Sequence, residues 1–263
     1  MTEPARPAPN PYTRGFRLAV DGIKLAFRSE DVGRAYLKVA AVIFSVSLVI
    51  GGLGLWALWT HAVPGEDDPA MWMVIASWIV RVVGSALTLI VAPLLAILVV
   101  NVVFPLFNQG VFIAGLRVAD PDRAARLEAK PGMPLMPAAG IASWRLLKFV
   151  AGSLVFFAIG LVPVVGTIAG TVGQLWLSAR TVAWELLDPY FDCLDIRYAE
   201  QRELVERHNK TLLGFGLPIA LIFAVPFVGP LLFGLAQVAG AHFVAHELPV
   251  DPREHAEPDA PPR

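Results

Sequence analysis

Two bends decide how this chain is read: Val162-Pro163-Val164-Val165-Gly166 and Val225-Pro226-Phe227-Val228-Gly229-Pro230, each set between apolar runs. Turns in water normally carry Asn, Asp, Ser or Lys beside their Gly and Pro. Neither bend has a charge or an amide, so each is expected inside hydrocarbon or packed protein, where Pro and Gly redirect the backbone without adding polar side chains. The reading is of two re-entrant helical hairpins that dip into a membrane from one side.

Composition points to the same solvent. Of 263 residues, 56% are hydrophobic and 16% charged, with a mean hydropathy of +0.61, against about 45–50% apolar and about 25% charged in soluble domains. The net charge of −1 gives no footprint for nucleic acid. Cys193 is the single cysteine, which excludes an internal disulfide and a cysteine-rich metal cage.

Val39 to Trp59 carries no charge and is long enough to span, since about 20 helical residues cross roughly 30 Å of hydrocarbon. It begins late and lacks a cleavage pattern, so it reads as an anchor rather than a signal peptide. The loop His61–Ala70 holds Glu66, Asp67 and Asp68 without Lys or Arg. A second span follows over about 72–103, broken only by Arg81, which can snorkel from the outer end, and with Pro93 as a candidate kink. Trp56, Trp59, Trp72 and Trp78 are placed as interfacial anchors. Basic residues precede the first span, from Arg14 to Lys38, and follow the second, from Arg117 to Lys148. The positive-inside bias therefore predicts a cytoplasmic N-terminus and an outer acidic loop.

The hairpins are predicted over about 145–184 and 211–246. Their arms, Phe149–Leu161 and Thr167–Ala179 in the first, have about 13 residues and so reach only about 20 Å. The two hairpins share V-P-x-V-G and a glutamine eleven residues after the proline, Gln174 and Gln237, a weak internal repeat. A topology of six tilted spans is the competing arrangement.

The spacing of Phe16, Val20, Ile23 and Phe27 against Arg14, Arg17, Lys24 and Arg28 predicts an amphipathic helix over Arg14–Arg28, lying in the membrane interface or packed on protein. Residues 1–13 read as a disordered leader and 249–263 as a disordered tail, leaving 14–248 as a single membrane domain. Between the hairpins, Asp188–Lys210 reads as a charged helical connector laced with ion pairs. Arg180, Glu185, Asp188 and Asp192 are expected to form a structural ion-pair cluster.

The stretch Trp184–Leu248 contains L-D-P-Y-F-D at Leu187–Asp192, the connector, G-F-G at Gly214–Gly216, V-P-F-V-G-P, and A-Q-V-A-G-A at Ala236–Ala241. In that order these elements resemble the etoposide-induced-protein family, which includes the CysZ-type sulfate permeases of bacteria. The resemblance extends through the first hairpin and more faintly to Gly22-Ile23-Lys24-Leu25 and the first span. It implies an all-α membrane fold with two long helices and two partly penetrating hairpins, an inner-membrane location, and sulfate uptake that feeds cysteine synthesis. It also implies an anion site in a short Gly-containing segment ahead of the first long helix, ending in paired arginines. Here that segment is Ser29–Arg34: Gly33 and Arg34 match, the second arginine is absent, and Glu30 and Asp31 stand just before them.

A doubly charged oxyanion leaving water needs N–H donors, a helix N-terminus and a guanidinium or ammonium, which makes Arg34 the best anion contact by resemblance. Asn101, Asn108, Gln109, Gln174 and Gln237 can line a pathway or join helices through their amides. His242 and His246 have the spacing of two metal ligands but no evident third, and no metal or other cofactor is assigned. No P-loop occurs. Gly170, Gly173, Gly234 and Gly240 allow close helix contacts, in an oligomer of identical chains or in a tight bundle. The expected function is transport of a small anion, sulfate by resemblance, in contact with lipid. The alternative is a nonenzymatic scaffold or morphology protein with wedge-like hairpins. An enzyme is not expected, because no nucleophile, base and orienting group converge.

Overall fold

A computed structural model of the chain describes residues 10–61, 71–103, 105–225 and 228–252. Among them are eleven helices and no strand, and three helices are long and apolar enough to cross a membrane. The all-α membrane architecture is therefore as the hydropathy predicts. Residues 1–9 of the expected leader, the acidic loop at 62–70, Pro226 and Phe227 of the second bend, and the tail from 253 onward lie outside the described residues.

The helices fall into two units, Arg34–Asn108 and Met1–Gly33 with Gln109–Arg263. The first unit is built from α2 (Glu30–His61, 32 residues) and α3 (Met71–Val103, 33 residues). At 1.5 Å per residue each exceeds a hydrocarbon core of about 30 Å. They run antiparallel: Gly51 faces Ala92, Gly54 faces Thr88, and Gly84 faces Leu58. Trp59 Nε1 donates to Ser85 Oγ at 3.2 Å. The Arg81 guanidinium lies 5.1 Å from the Trp59 ring centre and 5.6 Å from that of Trp78, so the one charge of this span sits between two of the predicted interfacial tryptophans.

Helix α1 (Pro11–Arg28) starts three residues ahead of the predicted Arg14, because Asn10 caps it by accepting from the Tyr12 N–H at 3.1 Å and Pro11 takes the first turn. Its buried face is Gly15, Leu18, Ala19, Gly22 and Ala26. Phe16 and Phe27, which belong to the predicted apolar stripe, remain 52% and 68% exposed. The small residues pack α1 on protein, and the two phenylalanines stay outside.

The chain continues through α4 (Pro105–Ala119), α5 (Pro121–Glu128), α6 (Leu135–Gly160), α7 (Val165–Leu186), α8 (Asp188–Cys193), α9 (Tyr198–Arg207), α10 (Asn209–Phe223) and α11 (Val228–Glu247). Helices α6 and α7 form the first hairpin. Its entering arm has 26 residues rather than about thirteen and is long enough to cross. The helix does not stop at the basic residues, because Arg145 and Lys148 both find partners outside α6, Asp188 and Tyr198. Leu161, Val162, Val164 and Val165 at the bend are all more than half exposed. The Val165 N–H donates to the Pro163 carbonyl at 2.9 Å, with Val164 at φ 64°. A β-branched residue in that conformation costs about 1–3 kcal/mol.

Around α10 and α11 the packing is denser. Helix α1 lies against both, and α7 lies against α10. Phe215 and Phe243 are fully buried, with rings 4.9 Å apart. The connector folds as predicted into short helices with ion pairs, Arg202 to Glu206 at 2.7 Å and Arg207 to Glu203 at 2.6 Å, while Gln201, Leu204 and Val205 turn inward. Residues 249–252 of the expected tail are held: Pro249 accepts from Tyr190 Oη at 2.9 Å, and Asp251 pairs with Lys130 at 2.7 Å.

The tightest crossing joins α1 to α10. A Cβ on Gly214 would collide with the Tyr12 carbonyl oxygen, and one on Gly15 would collide with that of Thr211. Gly214→Ala is expected to lower stability by about 1–3 kcal/mol, read as an earlier thermal transition in detergent. Gly33→Ala, with nothing within 4 Å of its added Cβ, should leave the transition in place or raise it.

Candidate functional site

Gly33 and Arg34 sit in the first turns of α2, both exposed. Ser29 starts the helix: its Oγ accepts from the Val32 N–H at 3.4 Å and its carbonyl from the Gly33 N–H at 3.0 Å. Glu30 and Asp31 occupy the same first turn, where carboxylates favour the positive helix end. The open space beside Gly33 leaves the approach to this turn clear.

Asn101 lies in α3 and Asn108 in α4, with side chains outside the described residues. Gln174 joins the two arms of the first hairpin: its Nε2 donates to Ser153 Oγ at 3.1 Å and Ser178 Oγ at 3.4 Å. Gln237 is 2% exposed, and its Oε1 has no hydrogen-bond partner among the described residues. Gln109 Nε2 lies 3.0 Å from the buried thiol of Cys193. His242 and His246 have ring centres 4.2 Å apart with the rings tilted by 47°, and His246 Nδ1 lies 2.8 Å from the His242 carbonyl oxygen. Among the described residues no three metal-binding side chains come together.

The polar centre that sequence reasoning missed is Arg145. Its guanidinium makes a two-pronged ion pair with Asp188 and lies 5.8 Å from the Trp184 ring centre. In sequence Arg145 marks only the basic side of a span, and its partner is far away along the chain. Arg180 does not pair with Glu185 in this cluster but reaches Glu206, at 3.9 Å. Arg123, 7% exposed, donates to the carbonyls of Val244 and Leu248 and lies 3.5 Å from Asp120. It thereby ties down the C-terminal end of α11, where the Val244 carbonyl also accepts from the Leu248 N–H at 3.3 Å.

The family model described as sulfate transporter CysZ/etoposide-induced protein 2.4 matches residues 21–233. The chain belongs to this family. The matched stretch contains Gly33, Arg34, both long helices, the whole first hairpin and most of the second. With its apolar helices, membership makes this a multi-pass membrane protein of the sulfate-permease type. No curated protein compared with the chain matches it.

Burial, with the Asp188 charge adding to it and Arg145 opposing, pushes the Asp192 carboxyl up to about 7. Such a group stays protonated in the fold over a range where it would ionise in the unfolded chain, so it reduces stability as pH rises from about 4 to about 7. Asp192→Asn is expected to flatten this loss, so that thermal transitions measured at pH 5 and pH 8 lie closer together than in the parent. Equal spacing in the two proteins would mean that Asp192 is ionised in the fold at both pH values.

Proposed function

We propose that this chain is a nonenzymatic permease or channel-like protein for a small oxyanion, with sulfate as the substrate, in the cell (inner) membrane with its N-terminus in the cytoplasm. The observation that carries the reading is the family match across residues 21–233 on a chain with three apolar helices of spanning length. Arg34, exposed at the start of α2, supplies the guanidinium that a dehydrating dianion requires, and the uncluttered Gly33 beside it lets an anion near the helix end. The orphan Oε1 of Gln237 is a buried acceptor that a pathway water would satisfy. Assembly of identical chains is part of this proposal, because a small oxyanion needs a polar enclosure through lipid.

Uptake of radiolabelled sulfate into proteoliposomes tests it. Uptake should exceed that of empty vesicles and fall about tenfold in Arg34→Ala, the effect of losing one charge-assisted contact. Uptake equal to empty vesicles removes the permease reading and leaves the scaffold reading, which the exposed apolar bend at Leu161–Val165 favours.

Depth of the first bend is a separate question. Cys193 is buried, and burial raises its thiol pKa, so it contributes little background to labelling. A cysteine introduced by Val165→Cys should resist a membrane-impermeant thiol reagent added from the outer side. Rapid labelling from that side would mean that both arms cross.

A further inference from the structure

Between α6, α7 and α9 lies a cavity of about 410 Å³, away from the Gly33–Arg34 turn in sequence and independent of the transport reading. Its lining mixes cations with apolar rings. Phe149 on α6 and Trp176 and Leu177 on α7 stand on the bend side of Arg180, and Lys148, Arg180 and, from α9, Arg202 supply the charge, with the stacked rings of Trp184 and Tyr198 beyond them. Val150, Leu154 and Val172 are exposed side chains of the hairpin arms, so apolar surface continues from this side of the cavity toward the bend.

The basic end holds more positive charge than its carboxylates neutralise. Lys148 Nζ lies 2.8 Å from Tyr198 Oη and 4.9 Å and 5.0 Å from the ring centres of Tyr198 and Trp144, and among the described residues no carboxylate pairs with it. Glu206 is held by Arg202 at 2.7 Å, which leaves Arg180 a distant share at 3.9 Å. The other lining carboxyl, Glu185, stands near the Arg145–Asp188 pair. Two under-neutralised cations therefore face a space whose other lining is largely aromatic and aliphatic.

That combination suits a tetrahedral oxyanion attached to hydrocarbon. A free sulfate or phosphate ion would satisfy the cations but leave Trp176, Leu177 and Phe149 without a covering group, whereas a phospholipid covers both, with its phosphate on the cations and the first carbons of its chains on the apolar side chains. We propose that this cavity is a binding site for an anionic phospholipid headgroup, with Lys148 and Arg180 on the phosphate oxygens and Trp176 against the upper acyl chain.

The test uses the full chain, purified in detergent and stripped of lipid, and follows its thermal transition while one compound at a time is added: dioctanoyl phosphatidylglycerol, dioctanoyl phosphatidylcholine, sodium phosphate or sodium sulfate. Phosphatidylglycerol is expected to raise the transition saturably, and the double variant Lys148→Gln/Arg180→Gln should need at least tenfold more lipid for half the effect. If the double variant does not fold, Lys148→Gln alone carries the comparison, with Lys148→Arg keeping the charge and restoring the parent's half-saturation. Phosphate or sulfate acting as well as the lipid would overturn the proposal in favour of a free-anion site. Phosphatidylcholine acting equally would remove the requirement for a net anionic headgroup, and unchanged half-saturation in the variants would place the lipid elsewhere. Sulfate uptake by the same variants reads the transport proposal separately.

Discussion

The larger helical unit depends on backbone meeting backbone. Where α1 crosses α10, the missing side chains of Gly15 and Gly214 let each helix approach the carbonyl groups of the other. Contact at that range adds dispersion between main chains that larger residues would hold apart. The consequence reaches beyond the crossing. Helix α1 is held against α10 and α11, and its last turn leads through Ser29 into α2.

A second constraint acts at the base of the hairpins, where charge must be neutralised before the chain enters an apolar environment. Arg145 with Asp188, and Arg123 with the terminal carbonyls of α11, meet it through geometry rather than through water. A buried guanidinium left without such partners would cost several kcal/mol. Neutralisation also lets α6 run through its basic residues as one continuous helix. At the other end of the same hairpin the bend carries no polar side chain, and its exposed valines and leucine are acceptable only where the surroundings are themselves apolar.

Much of this was legible in residue order. The charge-free run Val39–Trp59 announces α2, the Val162–Gly166 bend announces the break between α6 and α7, and the alternating charges of 198–207 announce α9 with its ion pairs. The differences have identifiable reasons. The sequence pattern of α1 points to its large apolar side chains, yet the packed face is mostly glycine and alanine, whose value lies in what they omit and which hydropathy barely registers. In sequence the arm ends at Lys148, because a charge reads as a boundary until its partner is known. Gln174 and Gln237 are equivalent in the sequence repeat, but one amide is spent on two serines and the other keeps a buried oxygen without a partner among the described residues.

The sequence alone determined the solvent and the class: too much apolar surface for water, helices of spanning length, and bends without polar side chains, all of which are properties of composition and local order. Family kinship was legible there as well, because it lies in the order of short segments. Tertiary structure decided which charges meet, which face of α1 is buried, and that Lys148, Arg180 and Trp176 surround one space. Those facts depend on residues far apart in the chain arriving within a few ångströms of each other, and no local pattern records such meetings.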